Sequence, residues 1–337
     1  MESQFDIPIV LILFRRFDTL GRIIERIKQV NPKKIYLLSD QGRNEEEIRQ
    51  VQKVREYVTE HIDWKCEVIN NYAATNRGVY GNIALGAKWV FEREPCAIFL
   101  EDDNLPEVTF FDYCKQMLER YKDDNRILWV CGTNYLEDYV PEDNSSYMFT
   151  KQLLPCGWAS WSDKFLKYYD FNLETFNETN KLRVRESFQD KRLYTQVVDW
   201  VQMEKDRSLQ QNRFFSWDYH MAWSVRVNSM YGISPAQNQI KNIGVDLLSE
   251  HGGSSLQKEM TRRFCGMDSI PLRYPMKHPE TVLPDSKYEQ KIEKIILLPF
   301  ESRFRTFISK KIHKLFKIPT NENWKTYFKK RLTRGQR

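Results

Sequence analysis

The sequence predicts an α/β fold: a mostly parallel central sheet covered by helices on both faces, with a basic helical extension at the C-terminus. Three observations predict it. Apolar runs of strand length alternate with segments of helical periodicity through the first third of the chain. The fourth such run ends abruptly in Glu101-Asp102-Asp103, where the ligands of a parallel sheet collect. The excess of cations is confined to residues 301–337.

The elements follow in order. Pro8 to Phe14 is a continuous apolar run, read as a strand buried on both faces. Asp18 or Thr19 then serves as N-cap for a helix with Leu20, Ile23, Ile24 and Ile27 at helical spacing, stopped by Asn31-Pro32. Ile35 to Leu38 is the second strand, and Asn44 to about His61 an amphipathic helix with Ile48, Val51, Val54 and Val58 inward. Cys66 to Ile69, Asn82 to Phe91 and Ala97 to Leu100 continue as strand, helix, strand. Phe110 to Tyr121 reads as a helix and Ile127 to Cys131 as a strand, so the sheet is expected to reach about residue 135. Regular alternation fades beyond it. Residues 136–260 hold Gly157-Trp158-Ala159-Ser160-Trp161, a polar helical stretch around 180–212 and Phe215-Ser216-Trp217-Asp218. Pro271, Pro275, Pro279 and Pro284 mark 261–300 as an extended strap. The expected organisation is a nucleotide-binding half at 1–135, a catalytic and acceptor half of the same domain at 136–260, the strap, and a basic tail at 301–337.

Composition narrows the class. With 337 residues and 41% apolar content the chain builds one large core with an appendage, or two modest ones, and is not disordered. Nine Trp and seventeen Tyr fill a core and also suit packing against sugar or base rings. The six cysteines show no Cys-x-x-Cys pair and no zinc spacing, which points to inert core thiols in a reducing compartment without a disulfide framework. Met1 to Asp6 carries acid where a secretory signal carries base, and no apolar stretch approaches the ~18 residues of a membrane span, so a cytoplasmic protein is expected. Residues 301–337 carry twelve Lys/Arg against Glu301 and Glu322, a net of +10, which leaves −4 for the body of the chain. Phe304, Phe307, Ile308 and Trp324 among those cations fit a segment lying on the anionic inner face of a membrane or on another polyanion; a solubilising helix is the alternative. The acidic body offers no broad face to nucleic acid.

The sharpest chemical signal is a buried strand, Ile98-Phe99-Leu100, delivering Glu101, Asp102 and Asp103 to its carboxyl end. Crowded carboxylates raise one another's pKa unless a cation sits among them. The cluster therefore fits a hard divalent ion that keeps positions open for phosphate oxygens. An acidic turn after a strand is the plainer alternative.

Taken together, several motifs resemble in order those of GT-A glycosyltransferases, similar to family 2 and the N-acetylglucosaminyltransferase I type. They are Phe14-Arg15-Arg16 after the first strand, Ser39-Asp40-Gln41-Gly42 after the second, Asn76-Arg77-Gly78 before a helix, and Glu101-Asp102-Asp103. Gly157 to Trp161, Trp217-Asp218 and Asn242-Ile243-Gly244 extend the match over about residues 7–255. The resemblance implies that Asp40 contacts uracil, that Phe14 or Arg15 lines the base pocket, and that Arg77 reaches the diphosphate. It further implies that Asp102 holds the ribose, Asp103 holds Mn²⁺ or Mg²⁺, and Glu101 supports the sugar. His251, between Glu250 and Gly252-Gly253, would complete the metal shell on a loop able to close, or is simply solvated. Trp158 or Trp161 would stack on a pyranose, or lie in the core. Asp218, between Trp217 and Tyr219, matches the base position and would be desolvated toward a useful pKa; it would serve equally as a helix N-cap.

The expected activity is inverting, metal-dependent transfer of a sugar from a nucleoside diphosphate, with UDP favoured, to a hydroxyl of a glycan or glycolipid. A sugar-phosphate nucleotidyltransferase would instead show a glycine-rich loop after its first strand, and Phe14-Arg15-Arg16-Phe17-Asp18 is not one. A non-catalytic carbohydrate-binding or scaffold protein would not need the carboxylate cluster.

Overall fold

The computed structural model describes residues 4–245, 255–316, 318 and 326–327. Its first half alternates as expected: β1 (Ile9–Leu13), α1 (Leu20–Val30), β2 (Lys34–Ser39), α2 (Glu45–His61), β3 (Glu67–Tyr72), α3 (Gly78–Phe91) and β4 (Cys96–Glu101). There follow β5 (Asn104–Pro106), α4 (Val108–Arg120), β6 (Ile127–Cys131), β7 (Tyr147–Thr150), β8 (Trp158–Trp161), α5 (Ser162–Tyr168), α6 (Glu178–Arg185), α7 (Lys191–Gln211) and α8 (Asp218–Val227). The chain continues with β9 (Tyr231–Pro235), β10 (Ile240–Asn242), α9 (Glu259–Cys265), α10 (Ser286–Ile296) and α11 (Phe300–Phe316).

Eight strands form one sheet in the order β3-β2-β1-β4-β8-β6-β9-β7. Pairing is parallel from β3 through β4 and again between β6 and β9, while β8 and β7 run antiparallel to their neighbours. Side chains of a strand alternate between faces, so β1 supplies both cores. Ile9, Leu11 and Leu13 pack with α1 and α4 on one face, and Val10 and Ile12 pack with α3 and α5 on the other. A third core, including Leu193, Val201 and Trp223, lies among α6, α7 and α8.

Four expectations are corrected. The sheet does not end near 135, because β7, β8 and β9 continue it to Pro235. Their alternation was hidden because short strands pair out of sequence order across long connections. Ile48 is 43% exposed, and its neighbour Glu47 is buried instead, held by Arg43 and Arg15. Thr19 precedes α1 without capping it; its hydroxyl donates to the carbonyl of Asp102. The proline-rich strap gives way to α10, whose Tyr288 and Ile292 are wholly buried, with the Tyr288 hydroxyl 2.7 Å from Ser234 Oγ.

The six cysteines are free thiols. Among the described residues no helix is long and apolar enough to cross a membrane. No residue of α11 is buried; Phe300, Phe304, Phe307 and Leu315 are each more than half exposed.

Gly157 fixes the turn into β8. Its φ is +60°, and a Cβ there would stand 2.5 Å from Ile240 Cδ1. Replacing it combines left-handed strain with overpacking, so Gly157→Ala is expected to cost about 2 kcal/mol or more in urea denaturation. Unchanged stability would show that the turn tolerates a side chain.

Candidate active site

β1 and β4 are parallel neighbours with Ile12 opposite Glu101, so the loops that leave their carboxyl ends meet. The Phe14 amide donates to Asp102 Oδ2 at 2.9 Å, and the Thr19 hydroxyl holds the Asp102 carbonyl. β5 follows the acidic triplet immediately and pairs with β10, Asn104 opposite Asn242, which brings Gly244 onto Asp103. A Cβ at Gly244 would lie 2.5 Å from Asp103 Oδ2 and 2.9 Å from Arg16 Cζ. Arg16 donates to the Gly244 carbonyl at 2.6 Å, and Asn104 donates to Asp103 Oδ1 at 2.6 Å. The close approach of backbone to carboxylate explains a glycine here.

These side chains open into a cavity of about 710 Å³ that also receives Asp218 from the start of α8. Asp218 is the first residue of the helix, not its cap: Ser216 Oγ accepts the Tyr219 amide at 3.3 Å and donates to the Asp218 carboxylate. The approach to α8 is held by Glu204, a buried α7 residue whose carboxylate accepts the amides of Phe215 and Ser216, the latter at 2.9 Å.

Electrostatics set the character of the site. Glu101 is pushed well above its ordinary range, first by removal from water and then by Asp103, Asp102 and Asp218. Burial and Asp103 push Asp102 up to about 7, against the Phe14 amide and Arg16. Asp103 is also raised by burial, with Arg16, Asn242 and Asn104 opposing. Among the described residues no group of three or more His, Cys, Asp or Glu side chains is placed to hold a metal ion. The donor set nonetheless fits a hard cation: it offers oxygens only, and negative charge exceeds what Arg16 balances.

Of the residues singled out in sequence, Phe14, Arg15, Asp40, Glu101, Asp102, Asp103 and Asp218 line this one cavity. Asp40 and three others take other tasks. Asp40 Oδ1 accepts the amides of Gln41 and Arg77 at 2.8 and 2.7 Å, and Oδ2 accepts the Gly78 amide at 2.9 Å and Asn76 Nδ2 at 3.0 Å. With its acceptor sites filled, Asp40 ties the end of β2 to the start of α3 and has no lone pair to spare for uracil. Arg77 points away, donating to Asn71 Oδ1 at 2.9 Å; the guanidinium groups at the cavity belong to Arg15, Arg16, Arg43 and Arg207. Trp158 is 1% exposed and stacked between Phe99 and Trp129, at 3.8 and 4.3 Å, so it is core and reaches no sugar. Trp161 is likewise buried, its indole bonded to the Leu118 carbonyl. His251 lies outside the described residues.

Sequence reading missed Glu204, Asn82 and the Trp200–Tyr219 pair. Glu204 had a signal: it falls on the apolar stripe of Val197 and Val201, where an acid must have partners. Asn82 lines the cavity from α3 with a buried Oδ1 that has no hydrogen-bond partner.

Because Asp102 binds its proton more tightly folded than unfolded, it stabilises the metal-free protein fully below about pH 4, and this stability is lost as pH rises through about 7. With a chelator present, the melting temperature is expected to fall between these limits, and less so in Asp102→Asn, which keeps an oxygen for the Phe14 amide. Parallel pH profiles for the two proteins would remove Asp102 as the source.

No family model matches the sequence, and no curated protein matches it. Among solved structures the chain is similar to TarS 1–349 of S. aureus, at 10% identity over 70% of this chain and 59% of that one, TM-score 0.38. It is also similar to the mannosyltransferase PcManGT of Pyrobaculum calidifontis, solved with GDP-Man and Mn²⁺, at 9% identity over 68% and 74%, TM-score 0.35. A UDP-glucose pyrophosphorylase solved with UDP-glucose gives 9% identity over 71% and 94%, TM-score 0.34. Likeness this loose assigns no activity, and function rests on the chemistry of the site.

Proposed function

We propose that the chain is an inverting glycosyltransferase that moves a sugar from a nucleoside diphosphate, UDP foremost, to an acceptor hydroxyl. The observation that carries this reading is the meeting of Glu101, Asp102, Asp103 and Asp218 in one cavity, although Asp218 comes from a distant helix. A lone acidic turn has no reason to recruit a further carboxylate. A donor site and a base facing each other across a cleft do.

In this reading residues 1–135 bind the donor and 136–260 complete the site. The Phe14 ring, with the guanidinium groups of Arg15 and Arg43 at 5.6 and 5.5 Å from its centre, forms one wall of the base pocket. Asn82 is the group left to read the base edge. One Asp102 oxygen takes the Phe14 amide and the other faces the ribose. Asp103, with Glu101, would hold Mn²⁺ or Mg²⁺, whose chemistry is Lewis-acid stabilisation of the departing diphosphate. Arg16, beside Asp103, adds positive charge where negative charge develops as the sugar–diphosphate bond breaks. The acceptor oxygen bonds to the anomeric carbon while Asp218 takes the hydroxyl proton, and the electron pair of the broken bond stays on the diphosphate. The Ser216 hydroxyl and the Glu204 clasp hold Asp218 in place for that transfer.

Calorimetry is expected to show UDP binding that strengthens with Mn²⁺, a gain lost in Asp103→Ala, and an affinity about fivefold lower in Asn82→Leu. Asp218→Asn is expected to keep UDP affinity while turnover falls about 10²- to 10⁴-fold. UDP binding indifferent to both Mn²⁺ and Asp103 would refute the donor site.

The exposed aromatic and cationic α11 fits the surface of an anionic membrane, where a glycolipid or growing glycan acceptor is found. Sedimentation with phosphatidylcholine vesicles is expected to require phosphatidylglycerol and to be lost when Phe304 and Phe307 are both replaced by Glu. Equal sedimentation of both proteins would sink this placement.

A further inference from the structure

The cavity changes chemistry at Asp218. On one side stand the carboxylates and the cations Arg15, Arg16 and Arg43; on the other, Trp200 from α7 faces Tyr219 from α8, beside Ile296 and Leu298 from the end of α10, while Glu204 and Arg207 of α7 also line the cavity. Trp200 and Tyr219 stack face to face, ring centres 5.3 Å apart and planes 9° from parallel. Ile296 and Leu298 are the half-buried aliphatic groups beside this pair. They are also fixed in place: Gln196 accepts the Leu298 amide at 2.8 Å and donates to the Ile296 carbonyl at 3.0 Å, which ties the α10–α11 connection to α7.

Deepening the transferase reading and resting on it, we infer that this half of the cavity is the acceptor subsite, and that the acceptor carries an apolar chain next to the hydroxyl that is glycosylated. A free sugar would press its hydroxyls against Ile296 and Leu298, groups that return no hydrogen bonds, and would lose its hydration there for nothing. An amphiphile meets the wall on its own terms. Its polar head reaches Asp218 past the flat Trp200–Tyr219 face, and its chain lies along the aliphatic residues. The direction of the wall agrees. Two residues beyond Leu298 the chain enters α11 with Phe300 exposed at 70% and Phe304 stacked on it, and further along the helix Lys310 pairs with Asp199 of α7. A chain leaving the cavity past Leu298 therefore continues over apolar surface.

The test uses the full-length protein with octyl glucoside, kept below its micelle threshold, against methyl glucoside as the matched probe without a chain. Tryptophan fluorescence reads acceptor-side binding, and calorimetry with UDP reads the donor side on the same samples. Octyl glucoside is expected to bind at least about tenfold more tightly than methyl glucoside, as burial of several methylenes requires. Leu298→Glu and Trp200→Ala, both at half-buried positions, are expected to erase that difference while UDP affinity stays within about twofold, which also shows the variants are folded. Equal binding of the two glucosides, or a preference that survives both substitutions, overturns the inference and leaves the donor reading intact. Loss of UDP binding in the parent protein would instead strike the transferase reading on which the subsite rests.

Discussion

Three carboxylates drawn out of water in one cleft, with a fourth facing them, form the constraint around which the structure is arranged. Burial raises Glu101, Asp102 and Asp103 above their ordinary range, and Asp103, Asp102 and Asp218 add their charge against Glu101. The protein answers with donors that come from separate parts of the chain. The Phe14 amide arrives because β1 runs parallel beside β4, and Arg16 follows two residues later. Asn242 and the Gly244 backbone arrive because β10 pairs with β5. The parallel sheet sets these loops at one edge, where the carboxyl ends of strands leave room for a ligand.

The second half of the site is built on the same economy of partners. Glu204 could have been an unpaired acid in an apolar helix face, yet it accepts the two amides that lead into α8 and so fixes where Asp218 begins. That one clasp sets the boundary between a charged chamber and an apolar one. At that boundary Asp218 stands next to the Trp200–Tyr219 pair.

Much of this was legible in the sequence. A run such as Ile98-Phe99-Leu100 has no stable place except inside a sheet, and three acids directly after it must emerge at that sheet's edge. The helix stop at Asn31 likewise follows from local chemistry, since the residue takes the left-handed conformation with φ of 50°. What failed were statements about the far end of side chains. Asp40 stands where a base contact was expected, but its four acceptor positions are taken by the Gln41 amide, α3 and the loop before it. Arg77 turns to Asn71, and Trp158 vanishes between Phe99 and Trp129. Ile48 and Glu47 exchange places because paired guanidinium groups outweigh one apolar contact.

By itself, then, the sequence determined the alternation of strands and helices, the acidic strand end and the separation of a basic tail from an acidic body. Those properties depend on neighbours within a few residues, and local periodicity and charge are enough to set them. Tertiary structure alone decided which polar atoms are already satisfied, that Asp218 faces Glu101, and that α7, α8 and the end of α10 close one side of the cavity with apolar groups. Hydrogen-bonding capacity and burial are shared between residues far apart in the chain, so they acquire values only once the fold has brought those residues together.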